Sequence, residues 1–265
     1  MFAKKIRELA VQENTLALVW LGQAGFLIKT PGGKMIVIDP YLSDYVYHTF
    51  CETRGYAFKR MTPALFTPEE LHIDLLLCSH EHGDHLDMES LPGLLQDGTA
   101  CYTNVAGYDK IEKAGLHMCG VHILRKGERV ELGEVSLLAM DCDHGGLAPE
   151  AIGFLLDFGF IRVYYPGDTA LNPVRLNEAV KRQPEVGLLP VNGAFGNMNS
   201  TDAAKLAKLL GLKVCVPHHF WTFPAHCGNP MEVLAAFPEH APSCELRLLT
   251  PGEICVLTGK TEEKE

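Results

Sequence analysis

The chain has 265 residues, 47% hydrophobic and 21% charged, the balance of an ordinary soluble protein long enough to bury its own core. Lys and Arg total 23 against 33 Asp and Glu, a formal charge of −10, which disfavours general nucleic-acid binding. Charges interrupt the apolar run an export signal would need in MFAKKIRELAVQENTLALVW, and no stretch of about 18 apolar residues could span a membrane, so a cytoplasmic, non-membrane protein is expected.

MFAKKIRELA reads as a short amphipathic helix. LALVWLGQAGFLIKT (16–30) and KMIVIDPY (34–41) read as strands, broken at Gly22, Gly25 and the PGG turn at 31–33. The segment 43–71 reads as irregular, aromatic and proline-punctuated, the kind of long loop that serves as a lid. IDLLLCS (73–79) is a continuous apolar run, the mark of a strand buried on both faces. A short helix is predicted over 88–96, a strand over 100–104, a helix over 107–116 and a meander over 122–144, with turn glycines at Gly127 and Gly133. Residues 153–168 form a predicted hairpin turning at Gly159. A helix at 174–180 precedes the strand VGLLPVNG (186–193), and one at 201–210 precedes KVCVPHH (213–219). MEVLAAF (231–237) is a last helix and LRLLTPGEICVL (246–257) a final pair of strands. Apolar strands alternating with helices in both halves predict an α/β fold of two sheets packed face to face with helices outside, as one domain over 1–265. The nine cysteines show no CxxC pair and read as reduced, buried thiols.

The chemistry concentrates in CSHEHGDHLD (78–87), just past a predicted buried strand. Imidazole and carboxylate are the usual ligands of zinc and related divalent ions. His80 and His82 alternate, so in an extended backbone both reach one ion. Asp84 and His85 follow Gly83, which lets the chain turn and aim a second pair at another ion. A chance HxHxDH match is expected on the order of once in a thousand such chains, so the pattern points to metal. His144 (in MDCDHGG), Asp168 (in YYPGDT), Asn192 and the doublet His218–His219 also follow predicted strands, where sites of α/β folds gather.

HxHxDH, a later His, a GDT aspartate and a final PxH make this chain resemble the metallo-β-lactamase superfamily over nearly its whole length. VWLGQAGFLIKT, GKMIVIDPYLSD and VPHHFWTF are similar to its ascorbate-6-phosphate lactonase-like branch of metal-dependent hydrolases. The resemblance implies a four-layer αββα sandwich of two mixed sheets. It implies two divalent ions, Zn or Mn with Fe an option: one on His80, His82 and His144, the other on Asp84, His85 and His219, with Asp168 bridging. His219 fits the PxH register better than His218. His85 and Asp168 depart from the β-lactamases proper, and His82 departs from the di-iron oxidoreductase members.

The implied activity is hydrolysis of a small, optionally phosphorylated, lactone or ester by a hydroxide shared between two ions, with Asp84 orienting it or taking its proton. No GxSxG motif offers a serine alternative. Asn192 is a candidate oxyanion donor. Asp39, Asp87, Asp141 and Asp143 are candidates to hold the imidazoles from behind, Asp39 first among them. Substrate candidates are Tyr41, Tyr45, Tyr47, Arg54, Lys59 and Arg60 from the flap, then His218, Trp221, Thr222 and Phe223 as a wall, with a guanidinium suited to phosphate or carboxylate. The partner is thus a small molecule, with homo-oligomerisation implied by the resemblance alone. The rival readings are a phosphodiesterase of the same superfamily, weakened in its nuclease form by the acidic charge, and a metal-binding scaffold without turnover.

Overall fold

Strand β1 (Thr15–Gly22) is buried at every position, and its two faces meet different cores. Leu16, Leu18 and Trp20 join one hydrophobic cluster, Val19 and Leu21 another. The same alternation runs through β2 (Gly25–Lys29), β3 (Met35–Ile38) and β4 (Leu75–Cys78): Phe26, Ile36 and Leu75 face the first cluster, Leu27, Val37 and Leu76 the second. A strand apolar on both faces must be covered twice, which is why these segments read as continuous apolar runs. The computed structural model describes residues 1–116, 118–225 and 227–259.

The remaining strands are β5 (Ala100–Thr103), β6 (Val121–Ile123), β7 (Arg129–Glu131), β8 (Ser136–Asp141), β9 (Ile152–Asp157), β10 (Arg162–Tyr165), β11 (Val186–Pro190), β12 (Val214–His218), β13 (Glu245–Leu246) and β14 (Ile254–Thr258). The helices are α1 (Phe2–Glu8), α2 (Tyr45–Arg54), α3 (Leu91–Leu94), α4 (Val105–Lys113), α5 (Asn177–Arg182), α6 (Ser200–Leu210) and α7 (Pro230–His240). Two seven-stranded sheets run in the orders β14-β1-β2-β3-β4-β5-β6 and β13-β12-β11-β10-β9-β8-β7. Each is half antiparallel and half parallel, the parallel halves being β3 to β6 and β10 to β13. Residues from both sheets, among them Phe26, Phe154, Tyr164, Leu188 and Val216, share the central cluster. Ala3, Ile6, Leu91, Leu94 and Ile111 bring α1, α3 and α4 onto the outer face of the first sheet. On the second sheet α6 packs on β11, with α5 and α7 beside it. The result is the expected α/β pair of mixed sheets between helices. No helix among the described residues is long and apolar enough to cross a membrane.

Four local expectations change. The segment 43–71 is not irregular throughout: residues 45–54 form α2. Its sequence YVYHTFCETR is rich in aromatic and β-branched residues of weak helix propensity, so tertiary packing rather than local preference sustains it. Residues 122–144 are not one meander, because β6 lies in the first sheet while β7 and β8 lie in the second. The last two strands also part company, β13 extending the second sheet and β14 the first. Helix α5 starts later than the predicted 174–180, because Asn172 Oδ1 accepts from the amides of Val174 and Arg175 and holds a turn there.

Gly153 lets β9 lie against the end of β10. A Cβ there would stand 2.8 Å from Pro166 Cα and from the Tyr165 carbonyl oxygen, both backbone atoms that cannot swing aside. Gly153→Ala is therefore expected to destabilise the fold by about 1–3 kcal/mol, read as a lowered Tm; an unchanged Tm would mean the two chains are not so tightly apposed.

Candidate metal centre

Six strands deliver side chains to one end of the sandwich. Asp39 follows β3, the cluster 79–87 follows β4, His144 lies past β8, Asp168 past β10, Asn192 past β11 and His219 past β12. The carboxyl ends of parallel strands are where α/β sheets commonly form sites. After β4 the chain bends into a helical turn, with the amides of His85 and Leu86 both donating to the His82 carbonyl. Gly83 sits in that expected turn without a left-handed φ. Glycine is required there by packing: a Cβ would meet the Tyr45 ring at 3.0 Å and Val46 Cγ2 at 3.1 Å.

Three imidazoles meet first. His80 Nε2 lies 3.0 Å from His82 Nδ1, and His144 Nε2 lies 3.3 Å from the same atom. The hydroxyl of Ser79 donates to Asp39 Oδ2 at 2.5 Å and so accepts from His80 Nδ1 at 2.9 Å, which leaves His80 Nε2 as a lone pair. His82 Nε2 donates to the Leu147 carbonyl at 3.3 Å, which in the neutral ring leaves His82 Nδ1 a lone pair also. Two lone pairs facing each other at 3.0 Å repel, and a shared cation relieves this.

Asp84, His85 and His219 meet beside them. His219 Nε2 lies 3.1 Å from Asp168 Oδ1 and 3.6 Å from Asp84 Oδ2. His85 Nε2 lies 3.3 Å from Asp168 Oδ1, and His144 Nε2 lies 3.7 Å from Asp168 Oδ2. The two oxygens of Asp168 thus face the two groups of imidazoles. In each of the triads His80–His82–His144 and Asp84–His85–His219, the potential ligand atoms lie within 4.8 Å of one another. His85 Nε2 and Asp168 Oδ1 are buried without a hydrogen-bond partner among the described residues. Burial of such donors is unfavourable unless something binds them, and the donor set suits a divalent ion.

The electrostatics agree. Burial lowers the pKa of His80 and of His144, favouring the neutral, ligating imidazole. Burial opposes ionisation of Asp84 and Asp168, yet the neighbouring histidines outweigh it and hold both carboxyls well below their usual range. Burial likewise works against a charged His85, but Asp168, Asp84 and Asp39 around it push its pKa up.

Behind the donors stands a second set of contacts. Asp39, fully buried, accepts from Ser79 N at 2.7 Å, His85 Nδ1 at 2.6 Å and the Tyr165 hydroxyl at 2.6 Å, so His85 turns Nε2 to the site. Gln23 Nε2 donates to Asp84 Oδ2 at 2.9 Å, while the Gln23 carbonyl accepts from His219 N at 3.0 Å. Gln23, Asp39 and His219 all have positive φ, at 49°, 42° and 69°, a conformation non-glycine residues keep only where neighbours enforce it. Asp87 does not touch an imidazole; it accepts from Leu42 N, Ser43 N and Ser90 Oγ and ties two loops together. Asp141 and Asp143 do not touch one either. Arg175 grips both, at 2.9 Å and 3.1 Å, and Asp143 exchanges hydrogen bonds with Thr169 Oγ1 and Ala170 N. This clamp joins the chain flanking His144 to the chain following Asp168.

A cavity of about 270 Å³ opens over His82, Asp84, His144, Asp168 and His219. Arg54 and Asn192 line it, with Val46, Phe50, Phe58, Leu147, Phe195 and Phe223. Other substrate candidates lie elsewhere. His218 is fully buried in the core, stacked on Tyr165 at 5.4 Å and edge-on to Phe26 at 5.5 Å, because as the last residue of β12 it points between the sheets. Tyr41 is buried, its hydroxyl accepting from Val46 N and its ring under Arg60, whose guanidinium donates to the Tyr41 carbonyl. Trp221 packs on Trp20 and Phe220, outside the cavity wall that Phe223 provides. Lys59 is held by Asp44 and lies over the Tyr47 ring, and the Tyr45 ring covers Gly83. Thr222 accepts from Gln23 N at 2.7 Å. Gln23, Tyr165 and Arg175 escaped the sequence reading. Only the GQAG interruption between two strands hinted at the first.

A profile described as "Beta-lactamase superfamily domain" matches residues 17–219. A UPF0173 metal-dependent hydrolase of Rubrobacter xylanophilus is 30% identical over 253 residues, covering 89% of this chain and 94% of the relative. Among solved structures, Igni18, a metallo hydrolase of Ignicoccus hospitalis, is similar with TM-score 0.70 and 22% identity over 93% of this chain and 100% of its own. An isothiocyanate hydrolase from Delia radicum gut bacteria gives TM-score 0.76 and 19% identity over 92% and 100%. At these identities the two structures speak for the fold.

His219→Ala is expected to lower bound metal by about one equivalent in elemental analysis, whereas His218→Ala keeps the metal and lowers Tm through the core cavity it leaves; equal metal loss in both would contradict the assignment. Arg175→Ala is expected to weaken Zn²⁺ affinity by about 10-fold or more in calorimetric titration of the ion-free protein, with a stability change below about 1 kcal/mol for a part-exposed ion pair.

Proposed function

The chain belongs to the beta-lactamase superfamily and to its UPF0173 metal-dependent hydrolases, and on that premise we propose that it hydrolyses a small lactone or ester at the centre formed around Asp168. The observation that carries this reading is the pairing of two donor triads across one carboxylate at the polar end of a cavity. His80, His82 and His144 would hold one divalent ion, and Asp84, His85 and His219 the other, with Asp168 common to both. Zn and Mn suit the mixed nitrogen and oxygen donors best, and Fe is compatible with them. Two such ions, when bound, supply water at near-neutral pKa and neutralise charge developing on the attacked carbonyl.

The chain's own groups do the rest. Asp84 keeps Oδ2 toward His219 and Gln23, which leaves its other oxygen to accept a hydrogen bond from the attacking water and orient it. Asn192 lines the cavity, where its side-chain NH2 would steady a substrate oxygen. Asp39 and Ser79 fix the faces of His85 and His80, so that the donor set is organised before substrate arrives. The acyl C–O bond breaks, the water oxygen bonds to the acyl carbon, and one water proton ends on the leaving oxygen.

The phosphorylated-lactone version rests on the resemblance to the ascorbate-6-phosphate lactonase-like branch. Arg54, which lines the cavity, suits an oxyanion, but it lies along α2 away from the Val46 end that abuts the ligand loop. A phosphodiesterase reading has the same donor set but an acidic chain to contend with. The test is removal of metal by chelator, then restoration with Zn²⁺, Mn²⁺ or Fe²⁺ singly, against a panel of lactones, carboxylic esters and chromogenic phosphodiesters. Loss and metal-dependent return of lactone or ester turnover is the expected result. Turnover of phosphodiesters alone would replace the proposal with the phosphodiesterase, and metal binding with no turnover on any of them would replace it with a scaffold.

A further inference from the structure

Val46, Phe50 and Arg54 sit four residues apart along α2, so they share one helix face, and all three line the cavity. Val46 marks the end near the metal centre, because it abuts Gly83 in the ligand loop. Arg54 lies two turns further on, about 12 Å along the helix axis. Between them the wall is apolar: Phe50 packs on Phe58 at 5.8 Å, and Phe58 meets Phe223 edge-on at 5.7 Å.

This wall is incompletely covered. Phe50 is 44% exposed and Leu147 52% exposed, though both line the cavity. Apolar area left open in a site is area a ligand can remove from water. Arg54 is exposed, and its guanidinium makes no hydrogen bond or ion pair among the described residues, whereas the other cations of the flap are engaged, Lys59 by Asp44 and Arg60 by the Tyr41 carbonyl. A place in the last turn of α2 suits any cation through the helix dipole. It does not explain why this one opens onto an apolar cavity.

Building on the hydrolytic reading above, we infer that the substrate is an amphiphilic acid derivative. Its acyl bond lies at the metal centre, its apolar body lies along the Val46–Phe50 face of α2, and an oxyanion, carboxylate or phosphate-like, meets Arg54 at the far end. A compact sugar phosphate fits this wall poorly. Its hydroxyls would face aromatic carbon, and its phosphate would stand too near the reacting carbonyl to use Arg54.

The test uses the metal-loaded protein and two readouts. Calorimetry compares octanedioate with octanoate, and butanedioate with butanoate, with 8-phosphonooctanoate as a further arm. Kinetics compares the 4-nitrophenyl half-ester of octanedioic acid with 4-nitrophenyl octanoate. In the wild type the distal oxyanion, carboxylate or phosphonate, is expected to tighten binding of the eight-carbon ligands about tenfold, the worth of one charge-assisted contact. It should do nothing for the four-carbon pair, and Arg54→Gln should erase the eight-carbon difference. The ratio of kcat/KM between half-ester and neutral ester should collapse in the same variant. Equal binding of octanedioate, phosphonooctanoate and octanoate by the wild type, or a preference that survives Arg54→Gln, overturns the inference even if both esters are hydrolysed. An Arg54-dependent binding preference without hydrolysis of either ester sustains it and removes the hydrolytic reading instead.

Discussion

Imidazole nitrogens with their protons committed elsewhere face one another at about 3 Å, and two buried carboxylates stand beside them. While these rings are neutral, no placement of their protons satisfies the whole set. His80 Nδ1–H donates to Ser79 and His82 Nε2–H donates to the Leu147 carbonyl, so in the neutral rings the facing nitrogens are two lone pairs that repel. Protonating His85 relieves one side, because it sits among Asp39, Asp84 and Asp168. It leaves the His80–His82–His144 side as it was. Cations resolve both sides at once, and much of the surrounding structure serves to keep the donors converged until they arrive.

The sandwich supplies that convergence cheaply. Parallel pairing of β3 with β4, of β10 with β11 and of β11 with β12 sends consecutive carboxyl ends to the same edge, so residues far apart in sequence become neighbours. The local backbone is then bent against its preference. Positive φ at Gln23, Asp39 and His219 is held by buried hydrogen bonds, from Gln23 N to Thr222 Oγ1, from Asp39 N to the Leu77 carbonyl and from His219 N to the Gln23 carbonyl. Strain of this kind, roughly 1–3 kcal/mol per residue, is sustained where a rigid scaffold over-determines it. The large inter-sheet core is that scaffold.

Much of this was legible in the sequence. HxHxDH announces itself by residue type and spacing, and the other donors share one placement after apolar strands. Apolar runs broken by turn glycines and alternating with helices in both halves were enough to suggest two sheets packed face to face. What stayed hidden was contact made only in three dimensions. The demand for glycine at position 83 comes from α2, an element whose own residues disfavour helix. Gln23, Tyr165 and Arg175 act across 61, 126 and 34 positions of sequence, onto Asp84, Asp39 and Asp141 respectively, and no local pattern reveals such reach. The doublet His218–His219 shows the limit from the other side: two identical residues, separated only by which way the last position of a strand points.

An anomalous-scattering map from crystals grown without chelator or acid measures the central claim directly. The account predicts two peaks, one reached by His80, His82 and His144 and one by Asp84, His85 and His219, with Asp168 in contact with both. A map without peaks among those side chains would contradict it.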